Sequence, residues 1–265
     1  MKLDAYKLKW IAIIGMVLNH IVIAWWDIIP LGLAYPFYLV GGLTFPIMGF
    51  FVVEGYKHTR NLKRYVSRIL IIGAISLPFH IIAIGMPFRG DFTPVMLFSG
   101  LNIMFTIALS IGVLVLYDKI KSRAAFWLLF ILIIIPLSMF FVEWAPHGVV
   151  MVLLFYIIKN EKARRILPPI LAVVISFAVS LVITTIKIAS LYVQGLSIDD
   201  LVLVGLNAYP EFATVSLVFL VGMVAASFML LTYNNERGKS MKWLFYTFYP
   251  AHLAILAIGK LIFGF

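Results

Sequence analysis

Two histidines stand deep in stretches of sequence that otherwise read as hydrocarbon. His20 interrupts the apolar run from Leu8 to Trp26, and His252 lies in the run near residues 243–263. An imidazole so placed costs free energy unless an internal cavity or partner receives it, so each ring is a candidate for chemistry. With an ordinary pKa near 6.5, a neutral imidazole can act at pH 7 as a general base or as a nucleophile. Lys9 precedes His20 by eleven residues. Eleven steps of about 100° return to nearly the same helix face, about 16 Å farther along the axis. A cation at one end of a helix and a base farther in suit a charged cofactor whose reactive end must reach inward. Each ring also has a plainer reading. A hydrogen bond to a neighbouring helix would satisfy His20 without chemistry, and Pro250 allows His252 a structural role at a helix break.

The elements that must hold these rings are membrane helices. Of the 265 residues, 63% are hydrophobic and 12% charged, and the mean hydropathy is +1.08, far outside the range of soluble domains. Apolar runs fall near 8–26, 37–56, 65–85, 101–117, 125–142, 147–158, 167–189, 212–232 and 243–263. Most are long enough to span a bilayer as helices, which predicts an all-α polytopic bundle of about nine transmembrane helices. The sixth run is short, and the second contains Gly41, Gly42 and Pro46.

Loop charges give this bundle a direction. With a cytoplasmic N-terminus, the inner segments collect eighteen of the Lys and Arg residues, in groups around Lys2–Lys9, Lys57–Arg68, Lys119–Arg123, Lys159–Arg165 and Arg237–Lys242. Only Arg89, Lys187 and Lys260 fall elsewhere. That asymmetry follows the positive-inside rule and accounts for the net charge of +10 without a nucleic-acid partner. The six tryptophans stand near run ends, as an interfacial belt requires.

Several mechanisms are excluded. The chain has no cysteine, so thiol nucleophiles, thiolate metal sites and disulfides are absent. No phosphate-binding glycine loop, His-Glu-x-x-His or Gly-x-Ser-x-Gly occurs. Asn19 and His20 break the first run, and no small-residue cleavage site follows before Trp25, Trp26 and Asp27, so it reads as a retained span. No loop is large enough to fold alone, which predicts one integral domain over 1–265.

Several blocks resemble the TraX family, named for conjugative-pilin acetylation. They are Phe45-Pro46-Ile47; Glu54-Gly55-Tyr56-Lys57-His58-Thr59-Arg60-Asn61 with Lys63-Arg64-Tyr65 and Arg68; Asn102-Ile103-Met104-Phe105-Thr106; Tyr233-Asn234-Asn235 with Arg237-Gly238; and Lys242-Trp243 followed by Phe245 to Leu253. They keep order and spacing from the first run to the last. The chain departs from the family pattern at Asn19, where Asp often stands, at Gly42, where Arg is common, and near Pro78-Phe79, where acidic residues give way to His80. The interval from Lys9 to His20 is also similar to the Arg-x10-His arrangement in the first span of membrane glycan acyltransferases.

These resemblances imply an acetyltransferase of the cell membrane. Acetyl-CoA is the implied donor, a peptide N-terminus such as pilin or a glycan the implied acceptor, and no metal is implied. The cofactor contacts would be Lys9, with Glu54, His58, Arg60, Asn61, Lys63, Arg64 and Arg68 of the motif, and Asn102. His20 would be the base or an acetylated intermediate, with Asn19, Asn102, Tyr249 or His252 polarising the thioester carbonyl. Other readings compete. Glu54 and Arg60 can form a structural ion pair, and Ser176, Ser180 and Thr184 can serve helix packing rather than a channel. His58 reads as an interfacial ring, His80 as a supporting donor and His147 as a solvated loop residue. The loop from Leu191 to Glu211, with Asp199 and Asp200, can select the acceptor or simply connect two spans. A secondary transporter or a noncatalytic scaffold of a pilus or secretion system are the alternative functions.

Overall fold

Residues 2–26, 28–85, 100–136, 142–144, 146–193, 195, 197 and 210–263 are described by the structure, a computed structural model. All regular structure among them is helical, apart from isolated bridges joining Leu3 to Tyr233 and Leu101 to Val142. The helices are α1 (Ala5–Ala24), α2 (Leu31–Gly42), α3 (Thr44–His58), α4 (Leu62–His80), α5 (Ile103–Lys119), α6 (Arg123–Leu129), α7 (His147–Ile157), α8 (Glu161–Val193), α9 (Pro210–Leu231) and α10 (Lys242–Phe263). Wider π-turns continue α4 over Ile81–Gly85 and α6 over Phe130–Ile134.

Local sequence explains where these helices begin. The Asp4 carboxylate accepts from the Lys7 N–H at 2.8 Å, Asn61 accepts from Arg64, and Asn102 accepts from Met104, so polar side chains take up orphan donors at three N-termini. Among the described residues each apolar run of the sequence overlaps a helix, and the second is carried by two, α2 and α3, which meet at Leu43. Its helical path starts earlier than hydropathy predicts, at Leu31 after Pro30. The loop Leu191–Glu211, with Asp199 and Asp200, lies largely outside the described residues, as do Arg89 and the side chains of Lys187, Ser180 and Thr184.

The core forms around α3, whose Phe45, Ile47, Phe50, Phe51, Val52 and Val53 are all buried. α3 packs against α1, α5, α7 and α9, while α2 lies between α1 and α9. Glycines permit the closest of these approaches. A Cβ on Gly42 would stand 2.2 Å from the Phe219 carbonyl oxygen, and one on Gly222 only 2.0 Å from that of Leu39. Large apolar side chains turn outward elsewhere, among them Leu132, Phe177, Leu217, Phe228 and Ile255.

Four helical stretches are long and apolar enough to cross a membrane: Ala5–Ala24, Leu31–His58, Leu62–Ile84 and Trp243–Phe263. Shorter apolar helices run over Arg123–Ile134, His147–Ile157 and Leu217–Leu231. This is the architecture of a membrane protein, with its apolar side chains facing outward as a lipid solvent requires.

Two sequence expectations change. Arg164 and Arg165 do more than set topology: both are buried in the first turns of α8. Arg164 takes the Glu54 carboxylate that Arg60 was expected to hold, donates through Nε to the Phe155 carbonyl at 2.8 Å, and lies over the Phe50 ring. Arg60 remains exposed. His147 is no solvated loop residue either. It opens α7 with its ring 5.4 Å from that of Trp144.

Candidate functional site

α1 and α10 bring His20 and His252 together across 232 residues of sequence. His20 Nδ1 lies 2.9 Å from His252 Nε2 in the protein interior. The two rings are parallel within 5°. On its other side, His252 Nδ1 stands 3.0 Å from the Phe248 carbonyl, one turn earlier in α10. A carbonyl only accepts, so His252 Nδ1 carries the proton and its Nε2 is the acceptor. His20 must then donate from Nδ1, which leaves the lone pair on His20 Nε2. The ring predicted to do chemistry is thus held in one tautomer by a chain ending on the backbone.

His20 borders a cavity of about 50 Å³, shared by α1, α3, α5 and α10 and lined in part by Asn19, Thr44, Glu143, Trp144 and Tyr249. That volume holds a few water molecules. Polar atoms without hydrogen-bond partners gather around it: Asn19 Oδ1, the Tyr249 hydroxyl and Glu143 Oε2, with both nitrogens of His80 nearby. Tyr249 is 1% exposed and His80 4%. So many unmatched buried groups cost stability unless a ligand or water completes them. His80 Nε2 is 3.4 Å from Glu143 Oε2, within ion-pair reach but out of line for a hydrogen bond. No group of three His, Asp or Glu among the described residues is arranged to hold a metal ion.

Asn102 is not among the residues that line this cavity, although its neighbours Ile103 and Met104 are. It is fully buried, its oxygen caps α5, and its Nδ2 donates to the Gly73 carbonyl at 2.9 Å, so both ends of its amide tie α5 to α4.

The other predicted cofactor residues occupy the end of the bundle where the basic loops gather. Lys9 is partly buried, with Nζ 4.8 Å from the centre of the Phe51 ring and Arg237 close enough to repel it. Phe51 packs on Tyr233, whose carbonyl accepts from Arg165 at 3.0 Å, and Arg165 also donates to Asn235. Burial and the nearby Glu54 charge push the Tyr233 phenol above its ordinary pKa. The family block at 233–235 therefore stands beside Lys9, a juxtaposition that separate motifs do not reveal. His58, Arg60, Lys63 and Arg64 are exposed around the α3–α4 turn, and Arg68 is half-buried. His58 Nδ1 lies 2.8 Å from the Glu54 carbonyl, and Asn61 serves as the α4 cap.

Glu143 was not singled out from sequence. It ends the fifth apolar run, where a carboxylate reads as ordinary loop polarity, and its isolation between Val142 and Trp144 was the available signal. Trp144 was expected in an interfacial belt. Instead it stacks on Phe45 with centroids 4.5 Å apart, and its φ of 63° is strained for a bulky residue.

Over 268 residues the chain is 27% identical to a protein of Dichelobacter nodosus described as "Probable fimbrial assembly protein FimC, serogroup H1", covering 97% of this chain and 96% of that protein. No solved structure matches. The family model described as TraX protein matches residues 5–259, a span that holds the histidine pair, the basic end and the cavity between them. The chain belongs to the TraX family.

Proposed function

We propose that this protein is a membrane-embedded acetyltransferase that moves an acetyl group from cytoplasmic acetyl-CoA to an acceptor amine or hydroxyl, with a pilus subunit as the leading acceptor. The observation that carries the reading is the coupled histidine pair: His252 fixes His20 in the tautomer of a base beside a cavity of unmatched polar groups. In this reading the acceptor's N–H or O–H is oriented by Asn19 Oδ1. As the acceptor atom bonds to the thioester carbon, its proton passes to His20 Nε2, and the Tyr249 hydroxyl donates to the oxygen that gains charge. The carbon–sulfur bond then breaks, the carbonyl re-forms, and His20 returns the proton to the departing sulfur.

The donor enters from the basic end. Lys9, with Arg237 and the exposed basic residues of the α3–α4 turn, meets the phosphates as point charges. The pantetheine arm follows α1 past Met16, between Met48 and Phe245, which line the cavity on the side nearer Lys9 along their helices. The cavity is too small for that arm as it stands, and flexible methionine side chains suit a wall that must part. The N-terminus is cytoplasmic and the bundle has about nine crossings in the inner membrane. Membership of the TraX family and the likeness to a Dichelobacter protein described as a fimbrial assembly protein support a pilus-related acceptor.

Thiol release from acetyl-CoA by purified protein, with a synthetic peptide bearing a free α-amino group or with a glycan as acceptor, tests the reading. Wild-type protein is expected to release thiol and acetylate one acceptor. His20→Ala is expected to lose about 10²–10⁴-fold in turnover, the usual contribution of a positioned general base, while acetyl-CoA still raises the thermal midpoint. Unchanged turnover in His20→Ala removes the base. Substrate accumulation in vesicles without thioester consumption would make the protein a transporter instead.

A further inference from the structure

The cavity has a charged wall that the base and the donor path leave unused. Glu143 reaches it from the turn before α7, and its backbone is fastened there: its carbonyl accepts from the Thr106 hydroxyl, and its N–H donates to the Leu101 carbonyl at 2.9 Å. The carboxylate stands by the N-terminus of α5, where the Ile103 N–H faces it and the helix dipole favours negative charge. Oε2 nevertheless has no hydrogen-bond donor and is sealed from solvent, although the side chain as a whole is 26% exposed. The groups around it are titratable: His80 from α4, His20 from α1 with His252 behind it, and Tyr249 from α10. His147 follows on its own segment beyond Trp144. The two backbone hydrogen bonds of Glu143 and the stack of Trp144 on Phe45 hold the turn in this position against the strain at Trp144.

We propose that Glu143, acting together with His80, is the counter-charge of the site, a positioning residue that steadies the positive charge created on His20 when the acceptor surrenders its proton. The inference rests on the acetyltransferase reading above. In that step the bond from the acceptor atom to its hydrogen breaks, the bond to the acetyl carbon forms, and the proton resides on His20 Nε2 until the carbon–sulfur bond breaks and sulfur takes it. For that interval the His20–His252 pair is cationic in a low-dielectric interior, and a fixed carboxylate lowers the cost. His80, lying against Glu143 with neither nitrogen otherwise engaged, keeps the carboxylate aimed at the cavity.

The test measures kcat and KM for acetyl-CoA with the α-amino peptide, by thiol release from detergent-purified protein. Glu143→Gln is expected to lower kcat about 100-fold, as loss of one preorganised electrostatic partner does, with KM and the thermal midpoint near wild type. Glu143→Asp, which keeps the charge, is expected to recover kcat to within about tenfold of wild type. Wild-type kcat in Glu143→Gln overturns the proposal, as does an equal loss in the Gln and Asp variants, which would assign Glu143 to holding the turn. If Glu143→Gln does not fold, Glu143→Asp and His80→Gln carry the test: the first stays active, and the second loses about tenfold in kcat at unchanged KM. His80→Gln at wild-type kcat then overturns it. A wild-type protein that releases no thiol defeats the acetyltransferase reading itself, and the wild-type control separates that result from failure of Glu143 alone.

Discussion

His20 and His252 are most informative taken as a pair. A lone buried imidazole is a curiosity, whereas one whose Nδ1 is engaged by a second ring, itself tied to Phe248, has its reactive nitrogen chosen in advance. His252→Gln should therefore be less harmful than His252→Ala, because a Gln carbonyl can still accept from His20 Nδ1. The expected order is wild type, then Gln, then Ala with about 10–100-fold lower thiol release. Equal losses would assign His252 a packing role. Both histidines were legible because each interrupts an apolar run at depth. Glu143 was not, since an acidic residue at the edge of a run carries the same signature whether it faces water or a cavity. The partner of Glu54 was equally hidden: Arg164 lies 110 residues away, and only the packing of α8 against α3 and α7 brings it there. Arg164→Ala leaves the Glu54 charge without its buried partner and should destabilise the fold by about 3–5 kcal/mol, read as a lowered unfolding midpoint in detergent.

Helices, their order and most of their limits were written in the hydropathy, and the break between α2 and α3 was marked by Gly41, Gly42 and Pro46. The π-turns after His80 and at Phe130 were not, because one extra residue per turn changes no hydropathy. Helix spacing also escaped the sequence, since a glycine in an apolar run does not name the surface it meets. Between α2 and α9 that surface is backbone. Gly222→Ala drives a methyl group into the Leu39 carbonyl, which cannot move aside as a flexible side chain would. The substitution should cost about 1–3 kcal/mol through overpacking, measurable by thermal unfolding. Gly41→Ala is different in kind: its methyl would meet Asn19 Cβ at 2.7 Å, so it should disturb turnover more than stability.

At the scale of the whole molecule, most of the described basic side chains, though not Lys260, gather at one end, and the histidine cavity lies farther along the same helices. The absence of native cysteine makes its direction open to a clean labelling test. Single cysteines at Lys121 and Lys239 should react with an impermeant maleimide only after the cells are opened, and one at Ser197 should react in intact cells. The opposite pattern would invert the bundle and place the donor on the wrong side. The start of α1 is also tied to the segment that joins α9 to α10. Leu3 donates to Thr232 and accepts from Asn234, and Ala5 donates to Glu236, each at 2.9 Å. Helix α1 thus waits for a strap translated more than two hundred residues later, roughly 10–50 s at ordinary elongation rates. Its histidine waits as long for its mate, so a chain that stops before α10 never forms the His20–His252 pair and, on the function proposed above, should release no thiol.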